Sequence, residues 1–288
     1  MNIIEALQPI LKEQIRSARE VKGGDIGHSL YVETVQGRFF VKYRLDIPKR
    51  MFECEKAGLD ALRKAGVLSV PKTVYAGEIP GQQGGVIVLE WIDCGQPHEK
   101  TEDWLGRGLA QLHSVTSSTG RFGLDHDNYI GILPQENGWC DEWTQFYRGR
   151  RLMPMVKLAD ERGLLGQNRR KQLLKLLDTL DRFIPNDSQA SLLHGDFWSG
   201  NWITGPDGKP YLIDPAVFYG DREYEIAFTE LFGGFSPRFY AAYREVAPLP
   251  ADYHDRRPLY QLYYLLVHLI LFGETYGASV DRILKRYV

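Results

Sequence analysis

The stretch LLHGDFWSGNWITGPDGKPYLIDP, residues 192–215, constrains the fold of this chain more than any other part of the sequence. It carries Asp196, then Asn201 five positions later, then Asp214 thirteen positions after Asn201. The run KPYLI at 209–213 has the residue types of a β-strand, and the Pro-Asp-Gly before it is typical of a turn. Asn201 and Asp214 should therefore flank a hairpin and lie close together at one end of it.

This order and spacing are typical of the catalytic loop of a kinase and its metal-binding aspartate. Asp196 would accept the proton of an attacking hydroxyl group, and Asn201 and Asp214 would hold Mg²⁺ against the phosphates of ATP. Amide and carboxylate oxygens are the hard ligands that Mg²⁺ prefers. The alternative is a polar turn with solvated carboxylates, which a lone His-x-Asp would favour. All three residues at these spacings favour the kinase interpretation.

A glycine-rich stretch near the start of the chain, KGGDIGHS at 22–29, precedes two strand-like runs joined by a Gln-Gly turn. Such a stretch can lay backbone N–H groups over phosphates, so Gly23 and Gly24 are candidate ATP-binding residues. Lys42 lies at the end of the second run, in FFVKY, where its amine would reach the α- and β-phosphates. Each signal is weak alone, because Gly-Gly turns and solvated strand lysines are common.

A lysine in that role needs a carboxylate partner, and the next helix offers two candidates. The run 48–64 has helical apolar spacing, with a proline at its start and a glycine after its end. Glu55 precedes two leucines at helical spacing and borders the face that should pack on the sheet, whereas Glu53 should be a solvated charge. We therefore expect Glu55 to hold Lys42.

Two further runs, at 70–75 and 85–89, complete a small antiparallel sheet. The second run continues into Glu90, Trp91 and Ile92. In a kinase these residues would join the two lobes, bond the adenine edge through the backbone and cover the ring with apolar side chains. The alternative is an ordinary strand end. The polar, turn-rich DCGQP that follows marks the expected lobe boundary.

The remaining chain has mostly helical spacing, with an irregular segment at 122–138 that should lie near the substrate. We predict an α+β, bilobal, protein-kinase-like fold. A small antiparallel-sheet N-terminal lobe at 1–92 would bind nucleotide, and a mostly helical C-terminal lobe at 93–288 would bind substrate and catalyse. A helix at 3–17 should pack outside the first lobe. The helices expected in the second lobe span 102–115, 141–161, 168–183, 225–232, 237–246 and 258–272.

The segment after Asp214 is informative because it is short. Protein kinases place a long activation loop there, whereas this chain has Asp-Pro-Ala and resumes helical spacing soon afterwards. No long loop remains to bind an extended protein substrate or to be switched by phosphate. The sequence therefore indicates a small-molecule phosphotransferase.

Composition excludes several other classes of protein. Lys plus Arg is 35 against 37 Asp plus Glu, a net charge of −2, so no basic excess indicates nucleic acid or an anionic membrane as a partner. Cys54, Cys94 and Cys140 form no CxxC pair, which argues against a zinc site and for a reducing compartment. The start of the chain lacks the pattern of a signal peptide, so we expect a cytoplasmic protein. The longest apolar run, 259–272, is shorter than the ~20 residues of a membrane span.

Motifs spread over nearly the whole chain point to one family. The most specific are HGD-x-WSGN at 194–201 and DPA-x-x-YG-x-RE at 214–223. The others are GGDI at 23–26, FVKY at 40–43, MFECEKAGLDAL at 51–62, VP at 70–71, FGLDHDNYIG at 122–131, WCDEW at 139–143 and FYRGRRLMP at 146–154. Together they resemble the fructosamine kinase or ketosamine-3-kinase family, which is related to aminoglycoside phosphotransferases and choline kinases.

The resemblance implies an enzyme that uses ATP and Mg²⁺ to phosphorylate the sugar 3-hydroxyl of ketosamines, which leads to deglycation. It implies that Asp196 is the catalytic base, that Asn201 and Asp214 bind magnesium, and that Lys42 and Glu55 form the phosphate-positioning ion pair. The expected partner is a small-molecule or protein-bound ketosamine. The preferred ketosamine stays open at this point.

Some relatives carry a cysteine in the glycine-rich loop, linked to redox control of dimerisation. The corresponding residue here is Asp25, so the resemblance supports no such switch, and we expect Asp25 to point away from the phosphates or to cap a turn. Whether the protein is a monomer or a homodimer stays open.

Two other functions remain as alternatives. One is a kinase of another hydroxylated amine, such as an aminoglycoside or choline, which the WSGN and DPA-x-x-YG elements disfavour. The other is a nucleotide-binding pseudokinase without catalysis, which would be expected to have lost Lys42, Asp196, Asn201 or Asp214; all four are present.

The acceptor pocket for a ketosamine must hold a neutral polyol chain and a secondary ammonium. It should therefore combine hydrogen-bonding groups, apolar surface and a carboxylate for the cation. Trp198, beside the catalytic aspartate, and Tyr219, Arg222 and Glu223, after the metal-binding aspartate, are the candidate substrate residues. The alternative assigns Arg222 and Glu223 to a structural ion pair at the start of the next helix.

Overall fold

The amino-terminal part of the chain folds around one antiparallel sheet. The structure, a computed structural model, describes residues 3–21, 27–48 and 50–288. The five strands lie in the spatial order β1-β2-β3-β5-β4. They are β1 (Ile15–Glu20), β2 (His28–Thr34), β3 (Arg38–Arg44), β4 (Thr73–Glu78) and β5 (Gly85–Glu90). The predicted small antiparallel sheet is confirmed.

Two helices pack against this sheet, α1 (Ile3–Leu11) and α2 (Arg50–Ala65). Helix α1 was expected to run to residue 17, and that expectation is wrong. Lys12 adopts a left-handed backbone conformation (φ 56°), which ends the helix and turns the chain into β1. The apolar spacing beyond Leu11 is carried by an edge strand whose residues are mostly exposed.

The second part of the chain is mostly helical, as predicted. Its helices are α3 (Thr101–Leu112), α4 (Trp143–Phe146), α5 (Met153–Glu161), α6 (Gln167–Asp178), α7 (Arg222–Thr229), α8 (Pro237–Val246), α9 (Tyr253–Phe272) and α10 (Gly277–Tyr287). A π-helical turn, Tyr147–Leu152, joins α4 to α5. Helix α9 is buried along most of its length and forms the centre of the core of this lobe. Within the described ranges, none of the helices has the length and apolar character needed to cross a bilayer.

Three short antiparallel ladders bring loops of the helical lobe together. They pair β6 (Asn128–Ile130) with β7 (Leu133–Gln135), β8 (Ser191–Leu193) with β11 (Phe218–Gly220), and β9 (Trp202–Thr204) with β10 (Pro210–Leu212). The β9–β10 pair is the predicted hairpin. The N–H of Ile213 donates to the carbonyl of Asn201 over 3.0 Å, so the two ends of the hairpin meet. Residues 91–100, between β5 and α3, have no regular structure, and the lobe boundary expected after residue 92 stays a prediction.

Candidate active site

A cavity of about 510 Å³ lies between the sheet and the helical lobe. Lys42 on β3 and Glu55 on α2 line it from the first lobe. Asp196, Asn201 and Asp214 line it from the loops at the ends of β8, β9 and β10. The structure thus brings together in one place five residues that lie far apart in the sequence.

Gly195 shapes the loop that carries Asp196. It has a φ of +85°, and a Cβ atom built on it would lie 1.9 Å from the carbonyl oxygen of Ala216, so only glycine fits. The buried His194 ring lies beside it, with Nε2 2.9 Å from the carbonyl oxygen of Ile213, to which it donates. Burial lowers the pKa of His194, which keeps the ring a neutral structural support.

Asp196 has the environment of a general base. Burial raises its pKa to about 7, against the opposing effect of a hydrogen bond from Asn201. The Asn201 side-chain nitrogen donates to the Asp196 carbonyl oxygen (2.8 Å) and to its carboxylate Oδ2 (2.9 Å). A base with a pKa near neutrality can take a proton from a hydroxyl and still be largely ionised at physiological pH.

Lys42 lies between two carboxylates. Its Nζ is 2.9 Å from Glu55 Oε2 and 2.8 Å from Asp214 Oδ1. Burial opposes the charged amine, but the two carboxylates outweigh it and raise the pKa of Lys42. Burial raises the pKa of Glu55 to about 7, while the pKa of Asp214 is lowered because Lys42 outweighs its burial. Lys42 is therefore a permanent cation that faces the cavity.

Asp214 and Asn201 are the residues that could offer oxygen atoms to a metal ion in the cavity. Asp214 has a left-handed backbone (φ 53°), a strained state that is common at functional sites. Among the described residues, no group of three or more His, Cys, Asp or Glu side chains could hold a metal. The carboxylate of Asp214 and the side-chain amide of Asn201 nevertheless fit Mg²⁺, because this ion takes few protein ligands and completes its shell with phosphates and water.

Helix α2 is joined to the second lobe as well as to the sheet. A Cβ atom on Gly58 would lie 3.1 Å from the ring of Pro215, so the helix backbone packs tightly on the residue after Asp214. One turn earlier, the Cys54 Sγ–H donates to the carbonyl of Asp127 over 3.4 Å. The helix that carries Glu55 is thus held from both sides of the cavity.

A buried polar cluster fixes the segment after Asp214. The side chain of Asn128 donates to the carbonyl of Val217 (2.9 Å), and Gln135 donates to the carbonyl of Ala216 (3.3 Å). Gln135 and Asn137 both donate to the Asn128 Oδ1, each over 2.8 Å. The β6–β7 hairpin, within the segment expected near the substrate, therefore both lines the cavity and supports the segment after Asp214.

Glu225 on α7 holds the backbone of the loop that carries Asp196. Its carboxylate is fully buried and accepts the backbone N–H groups of His194 (3.1 Å) and Gly195 (2.6 Å). It also lies 2.9 Å from Nε2 of His113, whose Nδ1 is 2.8 Å from the hydroxyl of Tyr243. Burial alone would raise the pKa of Glu225, but the hydrogen bond from His113 and the other polar contacts lower it. The sequence analysis did not find this role, because Glu225 and His113 lie far apart in the sequence and meet only in the folded chain.

Replacing Glu225 by glutamine should destabilise the protein by about 2–4 kcal/mol. The amide NH₂ group of glutamine cannot accept a hydrogen bond, so at least one of the buried N–H groups that Glu225 now accepts would lose its partner. The folded pKa of Glu225 is below its ordinary value, so its contribution is complete above about pH 4.5 and is lost as the pH falls through the folded pKa. Urea unfolding at pH 7 and pH 4 should therefore show a smaller pH effect in Glu225→Gln. The exposed Glu142→Gln is the matched control, and equal losses in both variants would contradict the anchoring role.

The predicted nucleotide residues are only partly described. Gly23 and Gly24 lie outside the described residues. The N–H of Glu90 donates to a backbone carbonyl at residue 72 (2.9 Å), and that of Trp91 to one at residue 38 (3.0 Å). The N–H of Ile92 pairs with no other described residue. Only Ile92 of this segment therefore has a backbone donor left for an adenine edge.

The predicted substrate residues divide into two groups. Trp198 lines the cavity beside Asp196. Tyr219, Arg222 and Glu223 do not line it, contrary to the expectation from the sequence. The chain after Pro215 runs along β8 as β11, which carries these residues away from the cavity.

Other partners hold these three side chains in the second lobe. Tyr219 stacks on Trp139 with ring centroids 6.1 Å apart. Arg222 donates to the carbonyls of residues 247 (3.0 Å) and 248 (2.6 Å). Glu223 forms a buried ion pair with Arg256 (2.6 Å). Arg222 and Glu223 are thus structural, although they do not pair with each other as the alternative supposed.

Four aromatic residues on the far side of the cavity were missed: Phe232, His268, Phe272 and Tyr276. They come from the turn after α7, the end of α9 and the turn before α10. In the sequence, His268 and Phe272 lie within the long apolar run 259–272. No local motif marks the set, since it forms only when α9 packs against α7.

A sheet lobe, a helical lobe and an intervening cavity with a lysine–glutamate pair and a catalytic-loop aspartate define a protein-kinase-like phosphotransferase fold. The family model described as fructosamine kinase matches residues 2–288, and the chain belongs to that family.

Named relatives agree with this membership. A probable ketoamine kinase of Lactiplantibacillus plantarum is 40% identical over 95% of this chain and 95% of that protein. The chloroplastic protein-ribulosamine 3-kinase of Arabidopsis thaliana is 36% identical over 96% of this chain and 83% of that protein. The crystal structure of a Thermobifida fusca protein assigned as a fructosamine-3-kinase superposes with a TM-score of 0.86 at 30% identity, covering 99% of this chain and 98% of that one.

Proposed function

We propose that this protein transfers the γ-phosphoryl group of ATP to the 3-hydroxyl of a ketosamine and so starts its deglycation. The observation that carries the proposal is the meeting of Asp196 with the Lys42–Asp214 pair in one cavity. The acceptor class is supported by family membership and by relatives that are called a ketoamine kinase and a protein-ribulosamine 3-kinase.

The nucleotide would bind at the first-lobe side of the cavity. Lys42, kept charged by Glu55 and Asp214, would hold the α- and β-phosphates by charge attraction. Gly23 and Gly24 would cover the phosphates with their N–H groups, and the free N–H of Ile92 would face the adenine edge.

The carboxylate of Asp214 and the side-chain amide oxygen of Asn201 would bind Mg²⁺. When bound, Mg²⁺ neutralises charge between the β- and γ-phosphates. The Asn201 side chain has a second task, because its nitrogen holds the Asp196 carboxylate. One amide thus ties the position of the base to the position of the metal site.

Asp196 would act on the acceptor. Its carboxylate takes the proton of the 3-hydroxyl as the oxygen attacks the γ-phosphorus; the new O–P bond forms, the bond to the β-phosphate oxygen breaks, and ADP leaves. Trp198 forms one wall of the space in front of Asp196, where the sugar would lie. The buried loop supports at Gly195 and Glu225 hold the base in place before the substrate arrives.

The two alternatives are less well supported. A kinase of an aminoglycoside or choline would fit the fold, but the relatives named above are called a probable ketoamine kinase and a protein-ribulosamine 3-kinase. A pseudokinase would not be expected to keep the buried, pre-arranged Lys42, Glu55, Asp196 and Asp214. We place the protein in the cytoplasm, supported by three cysteines that are all free thiols.

The test is a substrate panel with Mg²⁺-ATP. Ribulosyl-, erythrulosyl-, psicosyl- and fructosyl-lysine peptides, their unglycated twins, an aminoglycoside and choline are each incubated with the protein, and products are read by mass spectrometry. We expect a gain of one phosphoryl group on at least one ketosamine peptide and on none of the unglycated twins. Phosphorylation of the aminoglycoside or choline alone would transfer the function to the alternative.

A further inference from the structure

The cavity is bordered in part by an aromatic rim, which we define as Phe232, His268, Phe272 and Tyr276. The His268 ring lies at its centre, with ring centroids 4.6 Å from Phe232, 5.0 Å from Tyr276 and 5.5 Å from Phe272. Phe232 and Phe272 are 41% and 51% exposed. Two phenyl rings left open to solvent at the mouth of a cavity are a common mark of a ligand-binding edge.

Helix α9 ties the rim to the catalytic loop. The hydroxyl of Tyr264 donates to the carbonyl of Gly195 over 3.0 Å, one residue before the catalytic Asp196. One helical turn later, the Nδ1 of His268 donates to the carbonyl of Tyr264 over 2.8 Å, which sets the plane of the ring. The rim is therefore held at a fixed place relative to the base.

Among the described residues of the rim, none is a carboxylate that could pair with a cation. Among the described residues that line the cavity, the acidic ones are Glu55, Asp196 and Asp214, and each already has a role in the nucleotide, metal or proton chemistry. The acidic residues nearest to the rim in the sequence, Glu230 and Glu274, are paired with arginines on α9 and α6. The expected carboxylate partner of the substrate cation is therefore missing from this side.

We infer that the aromatic rim binds the alkylammonium part of the substrate, and that it selects ketosamines whose nitrogen carries an alkyl chain such as a lysine side chain. This inference rests on the proposed function. In a ketosamine the nitrogen is attached to C1 and the reacting hydroxyl to C3, so a sugar held at Asp196 brings the cation close to the same cavity wall.

Ring faces suit both parts of this group. The face of an aromatic ring carries partial negative charge and attracts a cation, although the ring itself has no formal charge. The methylene groups of the alkyl chain would cover exposed phenyl surface and so remove apolar area from water. Because Phe232 and Phe272 are half exposed, a chain that lies across them continues out into solvent. The rim therefore accepts a glycated lysine whether it is free or part of a protein.

The test compares two substrates that differ in one atom. The first is ribulose joined to the ε-nitrogen of Nα-acetyl-lysine, and the second is its thioether analogue, with sulfur in place of that nitrogen. We expect the wild-type protein to prefer the amine in kcat/KM by roughly 3- to 30-fold, the range from an exposed to a desolvated cation–π contact. Phe232→Leu and Phe272→Leu should each reduce that preference, and the double variant should bring it close to one.

Controls separate the rim from general effects of the substitutions. Phe183→Leu removes a phenyl ring that packs on Tyr287 outside the cavity and should keep the wild-type preference. Phe232→Tyr and Phe272→Tyr keep a ring face and should keep it as well.

The outcomes distinguish the two proposals. An undiminished amine preference in both leucine variants would overturn the rim assignment while the kinase function stood. No phosphorylation of either substrate, or of any ketosamine in the panel, would overturn the function itself.

Discussion

Replacing Asp196 by asparagine should lower kcat for the ketosamine by about 10²–10⁴-fold while ATP still binds with nearly wild-type affinity. The reason is that a positioned general base contributes that much to rate, and asparagine keeps the shape of the side chain without its basicity. Asp196 bonds to Asn201 and not to Lys42, so the phosphate-binding pair should survive. Steady-state kinetics and calorimetric titration of Mg²⁺-ATP would measure the two effects separately.

The matched control is Asp207→Asn, in the turn of the neighbouring hairpin. Asp207 is exposed and has a left-handed backbone (φ 59°) that asparagine also tolerates, so the same charge is removed at no structural cost. It should keep wild-type kcat. A purified Asp196→Asn protein with near-normal turnover would refute the assignment of the base.

Asp214→Ala should abolish Mg²⁺-dependent tightening of ATP binding and reduce turnover by at least about 10²-fold. Even indirect partners of a metal typically cost 10–100-fold when removed, and Asp214 would be a direct ligand. The substitution also deprives the buried Lys42 of one of its two carboxylates. The measurement is ATP affinity as a function of Mg²⁺ concentration, in the wild type and in the variant.

Asp141→Ala gives a fair comparison for Asp214→Ala. Asp141 forms an ion pair with Arg121 over 2.8 Å, but its side chain is 81% exposed, so its loss should change little. If Asp214→Ala responded to Mg²⁺ as the wild type does, the metal site would have to lie elsewhere.

Local spacing was enough to predict the residues whose partners are close in sequence. The hairpin between Asn201 and Asp214 brings these two residues to the same end of the β9–β10 pair, and the predicted fold follows from the order of strands and helices around it. The Lys42–Glu55 contact needed only one correct choice between two glutamates on a single helix.

The errors share a physical cause, which is that neighbours in sequence need not be neighbours in space. Arg222 and Glu223 were placed near the substrate because they follow Asp214 closely, but they begin α7 and bind other parts of the second lobe. The aromatic rim draws on segments some 40 residues apart, such as Phe232 and Phe272, and tertiary packing alone brings these together. The final helix, α10, was not predicted, although Val280, Ile283 and Leu284 had the spacing to indicate it.

The attachment of α2 to both lobes has a consequence for control of the enzyme. In many regulated kinases, the helix that carries the glutamate partner of the lysine moves outward and inactivates the enzyme. Only part of the enzyme molecules can then bind ATP productively at any time. Here the tight packing of Gly58 on Pro215 and the bond from Cys54 to the opposite loop hold that helix inward without any ligand. No fraction of the binding energy of ATP is then spent on moving the helix, and apparent affinity is not lowered by an inactive population. We therefore expect the rate of this enzyme to follow the concentrations of its two substrates, without a separate step that activates α2.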